Sequence, residues 1–123
     1  MNEISSFLRE TKTFFLATSD NGIPKVRPFG ALAEYEGKIY FVTSNTKEVF
    51  KQIVANPNVC ICACDNNRKW VRIAGIAKFD KNPAAKQKML NDNPNLLKLK
   101  RYSSAADPTM EVFYLDNLRA EFF

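Results

Sequence analysis

Short apolar runs separated by polar turns dominate the chain, and most of them carry the period of strands rather than helices. Residues 3–11 are an exception: Ile4, Phe7 and Leu8 recur at helical spacing and predict a short N-terminal helix. The run TFFLATS (13–19) predicts a strand, stopped by DNGIP, a strong turn signal. Residues 25–35, KVRPFGALAEY, predict a second strand, in which Pro28 and Gly30 mark an edge, a bulge or a close backbone approach. Glu36-Gly37 then turns the chain into KIYFVTS (38–44), so 25–35 and 38–44 are expected to pair as a hairpin.

A strand-to-helix junction follows in TSNTKEVFKQIVANP. Asn45 is the expected N-cap and Glu48, three residues on, completes the capping-box pattern. Val49, Phe50, Ile53 and Val54 form the expected apolar stripe, and Asn56-Pro57 ends the helix. VCICAC predicts a further strand, and WVRIAGIAKFD (70–80) a long one with Val71, Ile73, Ala77 and Phe79 on one face. Residues 83–92 read as a helix with Pro83 near its start, and 93–110 as a long, partly helical connection rich in basic and small polar residues. EVFYLDN and LRAEFF would close the sheet. The fold class is mainly β with helical connections, a small antiparallel barrel, in one domain spanning residues 1–123.

Composition narrows the function classes. The apolar fraction of 46% and charged fraction of 25% suit a soluble globular chain, and no apolar run reaches bilayer length. The mixed, charged N-terminus resembles neither a secretory signal nor a transit peptide, so a cytoplasmic location is expected, with no membrane partner. A net charge of +5 favours anionic partners, either nucleic acid or a phosphorylated small molecule. The chain has no histidine, which excludes Ser–His–Asp and Cys–His catalysis, HExxH zinc sites and His-ligated haem. Hard chemistry would therefore belong to a bound cofactor.

Cys60, Cys62 and Cys64 stand at alternate positions of one strand, with neighbours about 6–7 Å apart, a poor distance for a disulfide. No other cysteine or histidine exists to complete a zinc site, so no metal site is expected. The three read as small hydrophobes on a packed strand face, with a redox-sensitive Cys64 at the strand end as the alternative.

The junction at 43–47 is the best place for chemistry. A helix N-terminus presents unpaired N–H groups and the positive end of its dipole, and here Thr43, Ser44, Asn45 and Lys47 add hydroxyls, a cap and a charge. Arg27 could reach the same anion through two parallel hydrogen bonds; Lys51, one turn after Lys47, is a weaker candidate. Backbone around Pro28 and Phe29 is open to a flat heterocycle. Trp70, the sole tryptophan, shares a strand face with Arg72; the pair suits the wall of a planar anionic ligand and equally a structural cation–π contact.

Arg27-Pro28-Phe29-Gly30, the run GKIYFVTSNTKEVFKQIVANP and WVRIAGIAKF together resemble the pyridoxamine 5′-phosphate oxidase family. They are most similar to its short bacterial members, the FMN-binding split-barrel proteins of the flavoredoxin-like and nitroimidazole-reductase-like kind. The resemblance runs from about residue 7 to the C-terminus. It implies a six-stranded split β-barrel and a homodimer with FMN in two clefts at the subunit interface. It also implies phosphate binding by Arg27, Thr43, Ser44 and Lys47, with Pro28 and Phe29 along the isoalloxazine and Trp70 reaching the flavin from the second subunit. The chain lacks the C-terminal extension of the vitamin-forming oxidase, whose arginine and histidine grip the substrate; substrate choice is then expected to fall to the 94–109 loop. The implied activity is an FMN-dependent oxidoreductase passing electrons or hydride from a donor such as NAD(P)H to a small acceptor. Alternatives are a flavin carrier without turnover, a deazaflavin or haem in the same fold, and a basic barrel binding single-stranded nucleic acid. Basic and aromatic residues do not interleave on one strand face, which weighs against nucleic acid.

Overall fold

The computed structural model describes residues 2–123. Its elements are α1 (Asn2–Thr11), β1 (Phe14–Asp20), β2 (Ile23–Phe29), β3 (Leu32–Tyr35), β4 (Lys38–Ser44), α2 (Glu48–Ala55), β5 (Asn58–Cys64), β6 (Trp70–Asp80), α3 (Pro83–Asp92), α4 (Asn95–Lys98) and β7 (Met110–Phe122). The strands form one antiparallel sheet in the order β2-β1-β5-β6-β7-β4-β3.

That order dictates the shape. β2 and β3 are the two edges of the sheet, yet only Gly30 and Ala31 separate them in sequence. The three steps from Phe29 to Leu32 span at most about 10–11 Å even fully extended, so the sheet must curl until its edges meet there. The result is a barrel joined at residues 29–32 and split elsewhere. The expected single strand 25–35 is thus two strands, making seven rather than six. β2 pairs with β1, whereas β3 pairs with β4, so the expected 25–35/38–44 hairpin holds only for residues 32–35. The cause is Pro28-Phe29-Gly30: the chain leaves one edge there and joins the other.

The two-residue turns of the β1–β2 and β3–β4 hairpins follow from local chemistry. Asn21-Gly22 and Glu36-Gly37 take positive φ (52° and 85°, 49° and 75°), the arrangement that matches strand twist in two-residue loops. Pro24, Lys25 and Pro28 on the β2 edge oppose pairing with another chain. The segments 111–117 and 118–123 are one strand, β7, carrying an extra residue opposite Ala74–Ile76; Asn117 accommodates the bulge at φ 53°. At the same place Gly75 is needed for contact, because a Cβ there would lie 2.9 Å from Leu115 Cβ.

β4 is buried on both faces, which explains its unbroken apolar run IYFV. Phe41 points into the barrel with Phe14, Leu16, Ile61, Ile73 and Phe113, while Tyr40 and Val42 pack outside it against Ala85, Met89 and Leu90 of α3. Phe29 touches Phe14 and Phe113 at ring distances of 6.3 Å, fastening the end of β2 to the far side of the barrel. α1 and α2 bury Phe7, Leu8, Val49 and Ile53 in the same core.

Three local expectations give way. The α2 cap is Lys47, without a side-chain cap bond, and Asn45 instead donates to Pro108 O and Glu111 Oε2. The tight turn in which Lys47 N–H donates to Ser44 O displaces the capping box. On α2 the inward face is Val49, Gln52 and Ile53; Phe50 is half-buried and Val54 is exposed. The cysteines do share a face, but the outer one. Val59, Ile61 and Ala63 fill the barrel, leaving Cys62 and Cys64 exposed and Cys60 partly so. The set containing Val59 and Ile61 wins the interior because these two bury more apolar surface than cysteines would. Burial still pushes the Cys60 thiol pKa up. No cluster of metal-ligating side chains occurs among the described residues.

Candidate functional site

A cleft of about 620 Å³ opens where the sheet edges meet. Its inner wall is the β2–β3 crossing (Arg27 to Ala31), Val42 and Thr43 of β4, and Lys47 and Val49 at the start of α2. Its outer wall comes from the α3–α4 connection, residues 92–96, with Arg101 and Tyr102.

Arg27 lies opposite Leu16 in the β1–β2 ladder and so points inward from an edge strand. Its Nη1 donates to Leu16 O (3.1 Å) and Thr18 Oγ1 (2.9 Å), and its Nη2 donates to Gln52 Oε1 (2.7 Å). Thr18 Oγ1 donates to the same Gln52 oxygen at 2.6 Å, closing a triangle. All three acceptors are neutral, and burial pulls the guanidinium pKa below its usual value. A partly buried cation held without a carboxylate is a costly arrangement unless an anion completes it.

The charge pattern of the cleft points the same way. None of the ion pairs among the described residues involves Arg27, Lys47 or Arg101. The lining carboxylate, Asp92, is already paired with Lys88 at 2.7 Å. Three cations without a carboxylate partner therefore line one cavity, a charge pattern suited to anions. Thr43, although 3% exposed, lines the cleft beside Lys47 and the first amides of α2.

Of the residues singled out in the sequence, the cleft brings together Arg27, Pro28, Phe29, Thr43 and Lys47. Ser44 and Asn45 are not in its lining: the Ser44 hydroxyl shares a 2.9 Å hydrogen bond with the Tyr102 hydroxyl, and Asn45 ties the turn to Pro108 and Glu111. Lys51 pairs with Glu48 at 3.9 Å and does not line the cleft. Trp70 and Arg72 lie on the outer face of the sheet, far from this chain's own cleft in register. Trp70 stacks on Phe123 at 4.1 Å, with the Arg72 guanidinium over both rings.

Sequence reasoning missed Thr18 and Gln52, and it pointed to Arg101 and Tyr102 only through the 94–109 loop, without singling either out for the cleft. Gln52 left a signal, since it sits three residues after Val49 on the inward face of an amphipathic helix, where a polar group must find a partner. Thr18 left none, and the individual roles of Arg101 and Tyr102 stayed hidden because contacts such as Ser44–Tyr102 join positions 58 residues apart.

Comparison with known proteins agrees with this architecture. A NimC/NimA family protein from Clostridium acetobutylicum superposes with a TM-score of 0.92 at 36% identity, covering 99% of this chain and 83% of that one. A pyridoxamine 5′-phosphate oxidase-related, FMN binding protein from Nostoc punctiforme shares the fold at TM-score 0.72 and 17% identity, covering 99% and 95%. HutZ, the heme storage protein from Vibrio cholerae, does so at 0.75 and 18%, covering 99% and 92%. No curated protein matches the sequence. Residues 1–121 match the family model for pyridoxamine 5′-phosphate oxidase, and with the split sheet and its cation-lined seam this chain belongs to that family.

Proposed function

We propose that the cleft binds FMN and that the protein is an FMN-dependent oxidoreductase acting as a homodimer. The observation that carries the reading is Arg27, inward-pointing, held by neutral acceptors and lacking a carboxylate, beside Lys47. Arg27 and Lys47 would hold the phosphate, with the Thr43 hydroxyl and the first amides of α2. Ser44 and Asn45 would act from behind, fixing the turn that presents them. Pro28 and Phe29 would lie along the ring system, on an edge strand whose backbone is open to a ligand. Bound FMN would supply electron or hydride transfer between a donor such as NAD(P)H and a small acceptor. The apolar lining of Phe29, Val42, Val49 and Leu96 would keep water from it.

Trp70 and Arg72 enter this reading from a second subunit. Their face also exposes Phe15 and Phe123, an apolar surface suited to a partner copy.

The test compares FMN with riboflavin, which lacks the phosphate. Arg27→Ala and Lys47→Ala should each weaken FMN by about 10- to 100-fold, the usual worth of a charge-assisted hydrogen bond, and leave riboflavin nearly unchanged. Equal losses for the two ligands would refute the phosphate assignment. Reoxidation of the reduced holoprotein across an acceptor panel separates an enzyme from a flavin carrier.

A further inference from the structure

The outer wall of the cleft is as well organised as the inner one. Its polar groups divide by commitment. Asn93 Nδ2 donates to Leu32 O and Met89 O, both at 2.9 Å, which pins the wall to the edge of the barrel. Tyr102 is tied to Ser44, and Asp92 to Lys88. Asn95 and Arg101 remain: each lines the cleft, and neither side chain takes part in a hydrogen bond or ion pair among the described residues.

Arg101 is not on a loose tip. Its N–H and that of Tyr102 both donate to Leu96 O, at 3.0 and 3.2 Å, and Lys100 turns the chain at φ 55° to bring them there. Beyond Tyr102, Asp107 accepts from Ser103 N–H and Thr109 N–H at 2.9 Å and holds the rest of the loop. A fixed backbone therefore presents a cation to the cavity from the wall opposite Arg27 and Lys47. A single phosphate is served by those two. A third cation, the uncommitted and solvent-exposed Arg101 guanidinium, with Asn95 lining the same wall, is a recognition element for a second anion, and its planar fork matches a carboxylate.

We infer that Arg101, with Asn95, forms a second anion subsite that takes the carboxylate of a small substrate. The inference rests on the flavin reading above and deepens it, by naming the class of molecule that the flavin would meet. Arg101 is here a specificity-determining residue. It discriminates a carboxylate from its neutral isostere, and it takes no part in holding the cofactor.

Benzoate and benzamide are the probes, titrated into FMN-loaded protein and followed by calorimetry and by the flavin difference spectrum. Unmodified protein should bind benzoate at least about tenfold more tightly than benzamide, the scale of one charge-assisted contact. Arg101→Gln should abolish that preference and Arg101→Lys should retain part of it, while FMN affinity stays within about twofold in both. Equal affinity for the two probes in unmodified protein, or a preference that survives Arg101→Gln, would overturn the subsite. An FMN loss in Arg101→Gln as large as in Arg27→Ala would also overturn it, by assigning Arg101 to the phosphate. Failure of the flavin reading is seen earlier and separately, as unmodified protein that takes up no FMN before any carboxylate is added; it overturns both.

Discussion

Replacing Gln52 by Leu removes, at nearly constant volume, the oxygen on which the Arg27 arrangement converges. Gln52 Oε1 accepts from Thr18 Oγ1 at 2.6 Å and from Arg27 Nη2 at 2.7 Å. A neutral hydrogen bond contributes about 1 kcal/mol net and one from a charged donor about 1.5–3 kcal/mol, so an unrelaxed structure would lose about 2.5–4 kcal/mol. Relaxation reduces this. Arg27 keeps its bonds to Leu16 O and Thr18 Oγ1 and is partly exposed, so water can serve Nη2. The new leucine also gains apolar contact beside Val49 and Ile53. The expected loss is therefore about 2 kcal/mol, which in urea moves the unfolding midpoint down by roughly 1 M for a domain of this size. Thr18→Val breaks the same Thr18–Gln52 contact and also removes the acceptor of Arg27 Nη1. The double variant should then fall short of the sum of the singles by at least about 0.5 kcal/mol, because the groups form one network. In FMN titrations Gln52→Leu should weaken FMN by about tenfold while sparing riboflavin, since the guanidinium would still be present but no longer aimed. A Gln52→Leu protein within about 0.5 kcal/mol of the original, with additive effects in the double variant, would show that the triangle does not hold Arg27.

Other expectations follow from packing, titration and exposure. Gly75→Ala would place a Cβ 2.9 Å from Leu115 Cβ and 3.0 Å from Asp116 O; such overpacking costs about 1–3 kcal/mol and should lower the melting temperature by about 5–10 °C, whereas an unchanged melt would contradict the close approach. Hydrogen bonds from Ser103 and Thr109 hold the Asp107 pKa down at about 2. A carboxylate depressed on folding stabilises the folded loop above its ordinary value of about 3.9 and loses that effect as the pH falls through its folded pKa. The Asp107 carboxyl carbon should therefore titrate with a midpoint near 2, and Asp107→Asn should remove the acid-induced loosening of residues 103–109 seen by amide exchange. The outer-face thiols test the homodimer: Cys64 lies opposite Trp70 in the β5–β6 ladder, and Cys62 and Cys64 are exposed in the single chain. Maleimide should label both quickly in dilute protein and slowly at concentrations where light scattering reports a dimer; rates independent of concentration would place the interface elsewhere.

How much of this was legible in the sequence follows the range of the interactions involved. Local pattern fixes element type: the helical spacing of Ile4, Phe7 and Leu8, the Asn21-Gly22 and Glu36-Gly37 turns, and the alternation of Val71, Ile73 and Ala77 each act within a few residues. The same locality places Thr43 and Lys47 at a helix start and puts Arg27 on a strand. Tertiary structure decides what alternation leaves open. A period of two says that Cys60, Cys62 and Cys64 share a face but not which face is inward; competition with Val59, Ile61 and Ala63 for the barrel interior settles that. Asn45 satisfies the local rule for a cap, yet Glu111, 66 residues away, offers its side chain a partner instead. Strand order is also non-local, so the break at Gly30 becomes visible only when residues 29–32 must join opposite edges of one sheet. That crossing forms the cleft and turns Arg27 from a strand arginine into an unpaired cation beside Lys47. Local pattern thus yields the elements and most of the chemistry-bearing residues of the inner wall. Which of them meet is set by the curled, split sheet, which also brings Thr18 and Gln52 behind Arg27 and Arg101 to the opposite wall, because such contacts depend on pairing between distant strands rather than on neighbours along the chain.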